Sequence, residues 1–231
     1  AKEVVSGLLV TEWGLLLLPA GGVAWASRLD LRATFSLRLP SWSGLAAALL
    51  VAGSAWSLAM LAAAASQLVL PVPEAFVEQL RRFFHLPREQ LAMPGLLFLF
   101  AISPAVCEEV AFRGFILAGL RSRLGCWPTV LTVGLLFGLF HLSAYRFLPT
   151  ALLGVVIALV VWQTGSIFTG MLVHFATNAL IFASGSTPWL AAAMGLQGDE
   201  VASFPVVALY LVPLGLGLAL LARLRSPGTT G

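Results

Sequence analysis

Charge is what this chain has least of. Only 10% of its 231 residues are Asp, Glu, Lys or Arg, while 59% are hydrophobic and the mean hydropathy is +0.96. A soluble domain is nearer a quarter charged, so the composition excludes one and points to a polytopic membrane protein. Cysteine is also scarce. Cys107 lies in an apolar run and Cys126 at the edge of another, so both read as small buried hydrophobes and no disulfide framework is expected. The net charge of +3 is scattered over short segments, and without a dense basic cluster nucleic acid is not an expected partner. The first apolar run has no basic segment before it and no small-residue site leading into soluble sequence, so no cleavable signal peptide is expected. The chain opens at Ala1, as a processed or excised chain would. Internal repeats, low-complexity tracts and long linkers are lacking too, and residues 1–231 read as a single domain.

What is present is a series of apolar runs, judged against the roughly 20 residues that cross a bilayer. Seven are expected to span: about Val4–Ala26, Trp42–Leu70, Met93–Leu120, Pro128–Leu142, Pro149–Gln163, 167–Ala183 and Phe204–Leu221. The second is rich in Ala, which suits close packing of helices in lipid. The fourth is short, since about 15 residues at 1.5 Å each cover about 22 Å. Pro205 and Pro213 predict a kink in the last. Between Pro71 and Gln90, apolar Phe76, Val77, Leu80, Phe83 and Phe84 alternate with Glu74, Glu78, Arg81 and Arg82. That is the pattern of an amphipathic helix lying in the membrane interface, and His85 belongs with it as an interfacial residue. The expected fold is therefore all-α, a polytopic membrane helix bundle of about seven transmembrane helices plus one amphipathic interfacial helix.

Basic residues outside the spans favour the side holding Arg28–Arg38, Arg121–Arg123 and Arg223–Arg225 over that holding Lys2, Arg81, Arg82, Arg88 and Arg146. By the positive-inside rule this puts the C-terminus in the cytoplasm, and the expected location is a bacterial inner membrane. Trp25, Trp42, Trp127 and Trp162 fall at span ends on one side, as an aromatic belt would. Glu12 lies in the first span and is expected to reach an interface.

Against this background one stretch stands out, Cys107-Glu108-Glu109-Val110-Ala111-Phe112-Arg113. Each ion at bilayer depth costs roughly 2.5–3.5 kcal/mol unless it is paired or wet. Glu109 and Arg113, four apart with the acid first, share a helix face as a favourable pair. Glu108 points about 100° away and lacks that partner. One carboxylate therefore reads as structural and the other as chemical. Two further polar insertions follow in predicted spans: Phe137-Gly-Leu-Phe-His141, and His174-Phe-Ala-Thr-Asn178, whose His and Asn share a face. Clustering of Glu, Glu, Arg, His, His and Asn on three spans is the signature of an active site more than of isolated helix–helix hydrogen bonds.

The residues allow some chemistries and not others. A carboxylate beside an imidazole can hold and deprotonate a water, and a His–Asn pair can donate hydrogen bonds to an oxyanion. No His-Glu-x-x-His motif exists. The only aspartates are Asp30 and Asp199, both in loops, so an aspartyl dyad is excluded. Ser103 and Ser143 lack a Gly-x-Ser-x-Gly context. Glu108, His141 and His174 match catalytic zinc in kind and number, though not in diagnostic spacing. Water activation by glutamate without a metal is favoured, because Asn178 and the second Glu suit hydrogen bonding better than ligation.

In order on successive spans, Glu108-Glu109-x-x-x-Arg113, Phe137-x-x-x-His141 and His174-x-x-x-Asn178 resemble the CAAX prenyl endopeptidase and bacteriocin-processing (CPBP) family of intramembrane proteases. The resemblance covers about Met93–Ala183 and includes Thr164-Gly165-Ser166 before the sixth span. It implies an endopeptidase acting on a membrane-associated or hydrophobic peptide, with a prenylated CAAX-type peptide as one form of it, or a bacterial peptide-maturation or immunity protein. By the same resemblance Glu108 is the general base, His141 helps hold the water, and His174 and Asn178 stabilise the oxyanion. Glu109, Arg113 and Phe137 organise the site. No cofactor is favoured, with zinc on Glu108, His141 and His174 the alternative. The expected surroundings are lipid and a hydrophobic or lipid-modified peptide. The rival readings are a non-catalytic immunity factor or transporter-accessory subunit, or a small transporter or proton relay, the last lacking the expected paired discontinuous helices.

Overall fold

A computed structural model describes residues 2–85, 91–196 and 204–224. Ten helices carry these residues: α1 (Lys2–Ala26), α2 (Leu31–Thr34), α3 (Trp42–Gln67), α4 (Glu74–His85), α5 (Met93–Arg121), α6 (Cys126–Phe140), α7 (Ala144–Thr164), α8 (Ile167–Ser184), α9 (Pro188–Ala193) and α10 (Phe204–Ala222). Six are long and apolar enough to cross a membrane (α1, α3, α5, α7, α8 and α10), and α6 is a shorter apolar helix. The chain is a polytopic all-helical membrane bundle, as expected, with no strand among the described residues.

The centre of the bundle is α7. It packs on α6, α3 and α8, while α3 also meets α8 and α10. Small residues make this possible. Ala47, Ala48, Val51, Ala52 and Ala55 of α3 are buried against Leu153, Val156, Ile157 and Val160 of α7. Across α6 and α7, a Cβ on Gly134 or Gly138 would fall within 3.0 Å of α7 backbone. Without side chains there, the two backbones approach closely, which is how helices gain dispersion energy in lipid. On the other flank α5 packs between α8 and α1.

Several boundaries differ from the expectation. Helix α7 begins five residues ahead of Pro149, which lies inside it. A proline that near the start removes only one early helical hydrogen bond, so the helix tolerates it. Helix α10 breaks at Tyr210, between Phe204–Leu209 and Leu211–Ala222. This is the expected kink, just before Pro213, whose missing N–H cannot serve the preceding turn. Two spans contain wide, π-helical turns, Val10–Leu17 in α1 and both Phe98–Ile102 and Val110–Ile116 in α5. Pro19 and Pro104 follow the first two within two residues and leave a carbonyl without its usual donor.

The basic loop is not free in solution. Arg38 Nε donates to the carbonyl of Gly165 (2.6 Å), and Ile167 N–H donates to the carbonyl of Ser36 (3.2 Å). Gly165 ends α7 at φ 62°, a left-handed cap that glycine enters without steric cost. Of the four tryptophans expected at span ends, Trp25, Trp42 and Trp127 are exposed and Trp162 is not. Trp162 is buried because α7 is central, and the Arg121 guanidinium covers its ring at 4.3 Å. The amphipathic α4 docks by its aromatic side: Phe76 lies 4.9 Å from Tyr145 and Phe83 lies 5.9 Å from Phe100. The side chain of His85 lies outside the described residues, as does Asp199.

Candidate active site

The third span carries both carboxylates into the protein interior, and the helix winding separates them onto different faces. Glu109 and Arg113 are fully buried, and Glu108 and His174 are nearly so, at 6% and 3% exposure. Around Glu109 the hydrogen bonding is dense. Arg113 Nη1 donates to Glu109 Oε1 (2.9 Å), and Arg113 Nη2 donates to the Gly154 carbonyl (3.0 Å). The same Oε1 accepts from His174 Nδ1 at 2.9 Å. Because a carboxylate only accepts, Nδ1 carries the proton in this contact. That fixes the ring and leaves Nε2 facing Glu108, whose Oε2 is 3.8 Å away.

Phe137 is the floor of the cluster. Arg113 Cζ lies 4.4 Å above its ring, a cation–π contact, and the rings of His141 and His174 meet it edge-on at 5.0 and 5.7 Å. Phe112 also packs against it, at 5.2 Å. One aromatic side chain from α6 thereby seats residues of α5, α6 and α8. His141 caps α6 at its end and donates Nδ1–H to the Phe137 carbonyl (2.9 Å), so its Nε2 is the ring nitrogen left for chemistry. Asn178 lies one turn beyond His174 and is half-buried; its amide makes no hydrogen bond among the described residues.

Three positions belong to the cluster that spacing did not single out. Gly170 of α8 makes room for the Glu109 carboxylate, since a Cβ there would sit 2.8 Å from Oε2. Gly154 supplies the carbonyl for Arg113, and its own Cβ would press on Phe137. The third is Glu12, and here the structure corrects the expectation of an interfacial residue. Helix α1 begins at Lys2, which places Glu12 ten residues in, about 15 Å along the axis and far from either end. It is 5% exposed, and the turn that carries it packs against the Ser103–Glu109 segment of α5 that bears Glu108. Beside it Trp13 Nε1 donates to Ser103 Oγ (2.8 Å), which pins α1 to α5 and occupies one of the two serines near the spans.

Among the described residues no three His, Cys, Asp or Glu side chains converge as a metal would require. The donors are arranged for hydrogen bonding: each histidine spends Nδ1 on a protein acceptor and turns Nε2 elsewhere. A buried carboxylate 3.8 Å from an imidazole nitrogen, with a buried cation one residue layer behind, is an arrangement suited to proton transfer.

Fold and cluster together define an integral, multi-pass membrane protein with a buried polar site. A protein-family model described as Rce1-like, type II CAAX prenyl endopeptidase Rce1-like, matches residues 90–180. That segment is thus similar to the family, in agreement with the resemblance read from its motifs. The match takes in Glu108, Glu109, Arg113, Phe137, His141, His174 and Asn178, and leaves Glu12 outside. No curated protein and no solved structure matches the chain.

Proposed function

We propose that this protein is an intramembrane endopeptidase in which Glu108 activates a water against a peptide bond. The observation that carries this reading is the 3.8 Å gap between Glu108 Oε2 and His174 Nε2, inside an apolar bundle. Family-level similarity to CAAX-type endopeptidases supports the same class of reaction. Glu108 takes a proton from the water, whose oxygen adds to the carbonyl carbon, and later gives that proton to the departing amine. His141 helps orient the water through Nε2. His174, oriented by its contact with Glu109, presents Nε2 to the oxyanion, and Asn178 adds a neutral donor one turn away. Glu109, Arg113 and Phe137 hold the imidazole in place and do not touch the reactants.

The substrate proposed is a membrane-associated or hydrophobic peptide, with a lipid-modified C-terminus of CAAX type as one form of it. Zinc on Glu108, His141 and His174 is the competing arrangement. The location proposed is a bacterial inner membrane, with the side holding Arg121 and Arg223 in the cytoplasm.

The test uses purified protein in detergent and a quenched fluorescent hydrophobic peptide. Glu108→Gln should abolish cleavage while the melting temperature stays at or above the parent value. Parent activity should survive a strong chelator. Cleavage by the Gln variant at the parent rate would sink Glu108 as base, and chelator-sensitive activity restored by zinc would replace this mechanism with a metal-dependent one.

A further inference from the structure

The loop between the first two spans carries a cleft that the polar cluster does not use. It is an open hollow of about 320 Å³, lined by Asp30, Arg32, Ala33, Ser36 and Arg38. The bundle holds this loop from beneath. The Phe35 ring is buried in the notch left by Gly114 of α5, where a Cβ would collide with it. The Ser36 carbonyl accepts from Ile167 N–H at the start of α8, and Arg38 Nε donates to the Gly165 carbonyl at the end of α7. Contacts with α5, α7 and α8 thus fix the loop, so the cleft is formed before anything binds and a ligand meets little ordering cost.

The cleft is cationic, and its cations are available. Arg32 and Arg38 are both exposed. Among the described residues, neither the Arg32 guanidinium nor the Arg38 Nη groups make a hydrogen bond or ion pair. Asp30 is the one acid in the lining, and its Oδ1 already accepts the backbone N–H groups of Arg32 and Ala33. Arg28, Arg121, Arg123 and Arg223 stand on the same side of the bundle, just past or at the ends of α1, α5 and α10. The rim, by contrast, is apolar. Leu29, Leu31, Leu37 and Leu39 are exposed on the loop, and Trp25 and Trp42 are exposed where it leaves α1 and enters α3. A single exposed leucine is ordinary, but four of them around arginines at the ends of two spans match a bilayer boundary. There apolar side chains enter the acyl region, Trp rings sit at headgroup level and guanidiniums reach phosphates. A free phosphate ion would engage the arginines alone, whereas a phospholipid engages the arginines and the leucines together.

We propose that this cleft binds the phosphodiester headgroup of an anionic phospholipid, with Arg32 and Arg38 as donors and the rim leucines against its acyl chains. Arg38 donates to the phosphate from its Nη groups while Nε stays on Gly165, so one side chain ties the lipid to the α7–α8 turn. The site lies apart from Glu108 and does not depend on peptide hydrolysis.

The test uses the full chain in detergent, stripped of lipid, with phosphatidylglycerol, phosphatidylcholine and inorganic phosphate as probes. Phosphatidylglycerol in the micelles should raise the unfolding midpoint and stay bound in native mass spectra, because a ligand that binds only the folded chain stabilises it. Phosphatidylcholine and inorganic phosphate at the same concentration should do neither. Arg32→Gln removes no hydrogen bond or ion pair, so its midpoint in phosphatidylcholine should equal the parent value. Its affinity for phosphatidylglycerol should fall about tenfold or more, the worth of one hydrogen bond to a charged group. Ala33→Glu places an anion in the cleft, leaves both arginines, and should weaken phosphatidylglycerol in the same way. Arg123→Gln removes a charge from the same face outside the cleft and should bind as the parent does. Equal losses in Arg32→Gln and Arg123→Gln would reveal a diffuse attraction and overturn the site. Equal stabilisation by inorganic phosphate would overturn a lipid as the ligand, and no preference for phosphatidylglycerol over phosphatidylcholine would overturn the proposal outright. Should Ala33→Glu not fold, Arg32→Gln carries the test alone.

Discussion

Adjacent residues of α5 live in opposite surroundings. Glu109 is enclosed: a guanidinium and an imidazole both donate to its Oε1, Oε2 lies beside Gly170 without a hydrogen-bond partner among the described residues, and solvent does not reach it. Glu108 has His174 Nε2 3.8 Å from its Oε2, and that oxygen has no hydrogen-bond partner among the described residues. The difference teaches how a membrane protein can keep one acid inert and its neighbour reactive. Glu109 has one oxygen held by two donors, and Glu108 is left for a donor that would arrive with the reaction proposed above.

The comparison can be broken at four places. The largest effect should be on turnover at Glu108, where Gln abolishes cleavage with no loss of thermal stability, because a buried unpaired acid is itself costly. The reverse pattern belongs to Arg113. Replacement by Met strands Glu109 and should cost about 3–5 kcal/mol of stability, the usual result of breaking a buried pair, read as a lower unfolding midpoint in detergent. Equal loss at Glu108 and Arg113 would erase the distinction. Gly170→Ala pushes a methyl at Glu109 Oε2 and Val161 and should cost about 1–3 kcal/mol by overpacking, with cleavage reduced in proportion as His174 is displaced. The smallest change is Trp13→Phe, which removes the hydrogen bond to Ser103 beside Glu12 and should cost about 1 kcal/mol. Its measurable consequence is on the Glu108 face alone: an altered pH profile with the Glu109–Arg113 contacts intact.

How much of this was legible in the sequence follows from what kind of signal each residue leaves. The spans are readable because hydropathy over 20 residues survives any detail of packing. Glu108, Glu109, Arg113, His141, His174 and Asn178 stand out because polar groups are rare in apolar runs, and repeated spacing of four fixes which share a face. Glu12 is polar too, but a lone carboxylate in a first span does not declare which way it faces, and only the packing of α1 on α5 buries it. Gly154 and Gly170 are invisible because glycine is ordinary in membrane helices; only the Arg113 and Glu109 atoms opposite them give them a role. The wide turns of α1 and α5 leave no compositional trace beyond nearby prolines, and the extra helix α9 is too short to show a period.

The shortness of α6 bears on where the reactant comes from. Its fifteen residues fall several ångströms below a hydrocarbon thickness of about 30 Å. The flank bearing Leu131, Leu135, Leu136 and Leu139 is exposed, so lipid must adjust to it. A bilayer meets such a deficit by thinning, which draws headgroups and their hydration inward beside the short helix. His141 stands at its tip. The stretch of membrane bordering the polar cluster is therefore the stretch most easily wetted, and the length of a single helix would supply solvent to the hydrolase proposed above.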